Sequence, residues 1–139
     1  MTIVANDALV TGSAHVGIAV ADVASMFAVL HAFGFDLRTR EQLPAQSAWS
    51  NIVAAGDQRL ELLEAQGSSG AISRYLERRG PGLHHLCLTV RDLRAAIDVA
   101  DRNNLRLVNR RPSQDSDGFR VFLHPASMQG VLVGLVQPN

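Results

Sequence analysis

The stretch His15-Val16-Gly17-Ile18-Ala19-Val20-Ala21-Asp22 returns 70 positions later as His85-Leu86-Cys87-Leu88-Thr89-Val90-Arg91-Asp92. His15 matches His85, Val20 matches Val90 and Asp22 matches Asp92, and further on Leu37 matches Leu107 and Arg40 matches Arg110. A duplicated module that places a histidine at the same point in each copy implies a site on a pseudo-twofold axis, fed by both halves.

Working outward, His15 to Val20 alternates between two faces. Val16, Ile18 and Val20 share one and His15, Gly17 and Ala19 the other, the pattern of a half-buried strand. Asp22 is placed to cap a helix whose apolar residues Val23, Met26, Phe27 and Leu30 fall on one side, and Gly34 ends it. Strands are expected over Phe35 to Arg40, Ala48 to Ala55 and Arg59 to Glu64, the last two joined by a Gly56-Asp57 turn. A connector follows, with a short amphipathic helix over Ile72 to Arg78 that turns Ile72, Tyr75 and Leu76 inward. The second half repeats the order. It has a strand His85 to Val90, a helix Asp92 to Asn103, a strand Leu105 to Asn109, a polar loop, a strand Phe119 to His124 and a last strand Gly130 to Gln137.

If a helix covers the apolar side of each first strand, His15 and His85 both point to the other side, into a concave interior shared by the halves. The expected class is therefore α+β. Paired βαβββ modules form an open, barrel-like cavity of about eight main strands with helices outside.

The chain has 139 residues, 47% of them hydrophobic, enough for one substantial core and better suited to a single domain than to two. Module one is read as about 13–66, the connector as 67–82 and module two as about 83–138. Thirteen basic and thirteen acidic residues cancel, which leaves no electrostatic footprint for nucleic acid or an anionic membrane. The lone cysteine, Cys87, excludes an internal disulfide framework and suits a reducing compartment. Met1 to Gly12 lack the basic start and apolar run of a signal peptide, and no apolar run is long enough to span a bilayer, so a soluble cytoplasmic protein is expected.

The phrases His15-Val16-Gly17-Ile18-Ala19-Val20, Leu60-Glu61-Leu62-Leu63-Glu64, Gly82-Leu83-His84-His85, Phe122-Leu123-His124-Pro125 and Gly130-Val131-Leu132-Val133-Gly134-Leu135-Val136-Gln137 resemble the vicinal oxygen chelate superfamily. Within it the chain is most similar to methylmalonyl-CoA epimerases and related glyoxalase-like proteins, from Ala14 to Gln137. The resemblance implies a divalent metal in the cavity, held by His15 and Glu61 from the first half and His85 from the second. His84 would then face outward. It also implies a homodimer, homodimers being usual among the relatives.

Two positions depart from the family pattern. The last strand of the family carries a glutamate as fourth ligand where this chain has Gly134, and Leu60-Glu61-Leu62-Leu63 aligns internally with Val133-Gly134-Leu135-Val136. The third strand of the epimerases carries a second glutamate, but Gln46-Ser47-Ala48-Trp49-Ser50-Asn51-Ile52 has no carboxylate, Ser50 standing nearest its place. Epimerisation beside a thioester needs donors for the enolate oxygen and bases for the proton, so these losses argue against the orthodox reaction.

The reading is an epimerase-like or glyoxalase-like enzyme that acts on a small carbonyl compound or acyl thioester through an enolate-like intermediate. His15, Glu61 and His85 bind a metal or serve as acid-base groups, with Glu64 on the far, solvated face of its strand. Gln46, Trp49, Ser50 and Asn51 could contact substrate, and Gly134 would widen the cavity floor. His124 reads as structural, and Arg78, Arg79, Arg110 and Arg111 as a possible phosphate handle or as solvated surface. The alternatives are a small-molecule sequestration protein and a metal-free tailoring enzyme with the same cavity. No phosphate loop, nucleophile elbow or His-Glu-x-x-His helix occurs.

Overall fold

The computed structural model describes residues 9–139, so the reading of Met1 to Gly12 lies, over residues 1–8, outside the described residues. The chain divides into two compact units, His15–His84 and His85–Asn139, the latter together with the residues up to Ala14.

The first unit holds the end of β1 (Val10–Val20), α1 (Val23–Ala32), β2 (Asp36–Leu43), β3 (Ala48–Ala55), β4 (Gln58–Ala65) and α2 (Ala71–Arg79). Its strands lie in the order β2-β3-β4-β1, antiparallel except for the parallel β4–β1 pair. Alternation along β1 and β4 turns Ile18, Val20, Leu60 and Leu62 to one face, where α1 covers them with Val23, Met26, Phe27 and Leu30. At the end of the opposite face Ala48, Leu63 and Leu43 pack with Ile72 and Leu76 of α2.

The second unit holds most of β5 (Gly82–Val90), α3 (Leu93–Arg102), β6 (Ser113–Asp115), β7 (Gly118–Leu123) and β8 (Val133–Pro138), in the order β5-β8-β7-β6. The β5–β8 pair is parallel and the others antiparallel. Leu93, Ala96 and Ala100 of α3 bury Val90, Val121, Leu123, Val133 and Leu135. Each unit thus reads strand, helix, strand, strand, strand, the α+β arrangement expected from the duplication.

The helix starts repeat in detail. Asp22 accepts from Ala24 N at 3.1 Å, and Asp92 from Ala95 N at 3.1 Å. The Ser25 hydroxyl also donates to Asp22, which holds that carboxyl below its ordinary range. A second acceptor reaches each start, from β4 in the first unit and from β8 in the second: Glu64 Oε2 takes Val23 N at 3.0 Å, and Gln137 Oε1 takes Leu93 N at 2.8 Å. Glu64 is therefore half-buried and occupied, not solvated as the sequence suggested.

Several strand boundaries differ from expectation, β1 beginning as early as Val10 and β5 at Gly82. Leu105 to Asn109 forms a single bridge, Leu107 to Leu123, instead of a strand. Pro112 has no N–H to continue the ladder, and Asn109 Nδ2 donates to Arg111 O at 2.7 Å, so the chain turns and pairing resumes at Ser113 within the supposed loop. Gly130 N donates to Pro125 O and Gly130 adopts φ +93°, which keeps this segment a turn and delays β8 to Val133. Finally β2 runs to Leu43, past Arg40, with a register shift between Leu37 and Thr39. Among the described residues no helix is long and apolar enough to cross a membrane.

Candidate functional site

In the first unit the face opposite α1 carries His15 and Gly17 of β1, Glu61 of β4 and Ser50 and Ile52 of β3. The register lines up Gly17, Glu61 and Ile52 across three strands. His15 is 2% exposed and Glu61 8%. His15 Nε2 stands 3.4 Å from Glu61 Oε1, while the buried Ser50 hydroxyl donates to Glu61 Oε2 at 2.6 Å. Ser50 is thus committed to Glu61 through a charge-assisted bond of the kind that contributes about 1.5–3 kcal/mol when buried. An imidazole and a carboxylate held side by side out of water can share a proton or offer two ligands to a cation.

The second unit repeats the frame with other side chains. Cys87, Gly134 and Phe122 line up where Gly17, Glu61 and Ile52 do. Arg120 takes the place of Ser50, since Arg120 pairs with Val136 as Ser50 pairs with Leu63. His85, buried, meets the edge of the Phe122 ring at 5.9 Å between centroids and 90° between planes. Arg120 directs its guanidinium to Asp115 at 3.1 Å and Asp117 at 3.3 Å. No carboxylate stands at 134, and even the first atom of a side chain there would be tightly flanked. A Cβ there would lie 3.0 Å from Phe122 Cε1 and 3.1 Å from Cys87 Sγ. Phe122 and Cys87 thus lie against the glycine, and any side chain at 134 would press on both. Gly134→Glu needs those neighbours to yield by a few tenths of an ångström. The expected result is a loss of about 1–3 kcal/mol in denaturant unfolding, with divalent-metal affinity in calorimetry raised by about tenfold or more if the new carboxylate joins the ligands.

The remaining sequence candidates separate. Trp49 and Asn51 turn to the α1 side, away from Ser50 and Glu61, because strand residues alternate. Asn51 Nδ2 donates to Leu62 O at 3.1 Å and its oxygen accepts from Arg40 Nη1 at 2.6 Å. Arg40 in turn lies 4.3 Å above the Trp49 ring, an arrangement that braces β2 against β3. Gln46 is exposed in a short 3-10 turn, Pro44–Gln46. His84 packs edge-on against Tyr75, 4.8 Å between ring centroids. His124 Nδ1 accepts from Ala126 N at 2.9 Å and caps the turn Pro125–Ser127, the structural role expected of it. Arg110 forms a two-pronged pair with Asp101 at 2.9 and 2.8 Å, so that guanidinium is engaged on the surface.

One residue escaped the sequence reading. Glu41 stands directly opposite Ser50 on β2, on the face that carries Glu61. Strand β2 had been expected to end at Arg40, one position short. No polar-apolar alternation runs through Glu41, Gln42 and Leu43 to signal it, and glutamate is depleted in strands.

A sequence profile of the Glyoxalase/Bleomycin resistance protein/Dioxygenase superfamily matches residues 14–122. The mitochondrial methylmalonyl-CoA epimerase of Dictyostelium discoideum is 32% identical over 124 residues, covering 87% of this chain and 75% of that protein. The methylmalonyl-CoA epimerase of Mycobacterium tuberculosis superposes with a TM-score of 0.89 at 31% identity, covering 98% of this chain and 93% of the other. A Streptomyces coelicolor methylmalonyl-CoA epimerase variant in complex with 2-nitronate-propionyl-CoA superposes with a TM-score of 0.84 at 29% identity, covering 93% and 98%.

Proposed function

We propose, since this chain belongs to the Glyoxalase/Bleomycin resistance protein/Dioxygenase superfamily, that it is an epimerase-like enzyme acting on an acyl thioester through an enolate-like intermediate. Its chemistry diverges from that of methylmalonyl-CoA epimerase at positions 134 and 50. In this reading His15, Glu61 and His85 would hold a divalent metal.

The observation that carries this reading is the buried His15–Glu61 pair, 3.4 Å apart and braced by Ser50, with a second buried histidine at the repeat-equivalent position 85. Two imidazoles and one carboxylate are a donor set that suits zinc, cobalt, nickel or manganese and leaves coordination positions open. When bound, such an ion would polarise the thioester carbonyl and favour negative charge on its oxygen. The side chains have their own tasks. Ser50 occupies one oxygen of Glu61 and leaves the other turned to His15, and the Phe122 ring limits the orientations open to His85. The thioester as substrate class is supported by the solved relative that holds 2-nitronate-propionyl-CoA.

The test is solvent exchange. Methylmalonyl-CoA incubated with the enzyme in deuterium oxide is expected to gain deuterium at the α-carbon, with the rate falling on chelation and returning with added metal. Protein that neither binds a divalent metal nor catalyses exchange above the buffer rate would overturn the proposal.

A further inference from the structure

We infer that Glu41 is the proton-transfer carboxylate of this site, replacing the one that the third strand lacks; the inference rests on the thioester reading above. The register of β2 against β3 shows how it gets there. Leu37 pairs with Val53, but the next matched pair is Thr39 with Ile52, so Arg38 is an extra residue bulged out of the ladder. Without that bulge, simple alternation from Leu37 would put Glu41 on the α1 side. With it, Glu41 falls opposite Ser50, and Leu43, two residues on, packs with Ala48, Leu63 and Ile72 on that same face. Register and packing agree independently on where Glu41 is aimed. Directly opposed strand residues have Cβ atoms about 4.5–5.5 Å apart, and the hydroxyl of Ser50 already reaches Glu61.

The chemistry needs such a group. Glu61 has Oε2 occupied by Ser50 and, as a metal ligand, would be a poor base. Glu41 is half-buried on the next strand but one. In the step assigned to it, a Glu41 carboxylate oxygen takes the α-proton. The C–H bond breaks, its electron pair forms the C=C of the enolate, and the charge passes to the thioester oxygen. Return of the proton, or of a deuteron acquired from solvent, reverses each change. No other reactant is consumed.

The deciding experiment compares wild type, Glu41→Gln and Glu41→Asp for α-deuteration of methylmalonyl-CoA and for manganese affinity by calorimetry. The expected result is an exchange rate reduced by about 100-fold or more in E41Q, partly retained in E41D, with metal affinity unchanged in both. If E41Q exchanges at nearly the wild-type rate, Glu41 is not the base while the thioester reading stands. If E41Q loses metal affinity in proportion to rate, Glu41 acts by holding the site together and the inference is overturned. If wild type itself fails to exchange, the proposed function falls and this role falls with it.

Discussion

Gly118→Ala is expected to destabilise the protein by about 3–5 kcal/mol, with the midpoint of thermal unfolding lowered by roughly 10 °C or more. Two independent causes combine. Gly118 adopts φ +137°, which an L side chain adopts only under strain, and its Cβ would stand 2.0 Å from the carbonyl oxygen of Gln137 and 2.9 Å from Pro138 Cα. Both obstacles are backbone of β8, the strand registered against β7, so neither can rotate aside. The chain could take the methyl group only by parting the two strands at their end. That would disturb the hairpin in which Asp115 and Asp117 meet Arg120. A chemical denaturation curve within about 1 kcal/mol of wild type would show that β7 and β8 do not approach as closely as described.

His15→Ala is expected to cut divalent-metal affinity by at least about 100-fold, more than the 10–100-fold typical for loss of a residue that only supports a ligand. His15 is almost wholly buried and its Nε2 stands beside Glu61 Oε1, so the truncation removes one nitrogen donor from beside that carboxylate. His84→Ala is the matched control, because it deletes an imidazole adjacent in sequence to His85 but packed on Tyr75. Titration calorimetry should separate the two variants cleanly. Equal affinities in the two variants would show that His15 is not a ligand, and a loss in His84→Ala alone would point to His84 instead.

Much of this was legible from local pattern. Alternation along His15 to Val20 told which residues face the helix, because strand geometry fixes the period at two whatever the surroundings. The 70-residue repeat then transferred each role to the second copy, and the match of Glu61 with Gly134 was confirmed by their equivalent registers. Asp22 and Asp92 announced the helix starts for the same local reason: a carboxylate just before an apolar period satisfies orphan N–H groups. What local pattern missed depends on partners far along the chain. Glu64 and Gln137 reach helix starts 41 and 44 residues before them, and nothing near either residue forecasts that.

The sequence by itself thus determined the duplication, the class of fold and the histidines of the two halves, since these follow from the 70-position repeat and from periodicities of two and 3.6 residues written into the chain. Only the tertiary structure decided that Ser50 serves Glu61, that Phe122 closes over Gly134 and that one bulged residue turns Glu41 to the face of Glu61. Each of these depends on strand register, and register is chosen by the sum of cross-strand contacts over a whole sheet, a quantity that no short window of residues contains.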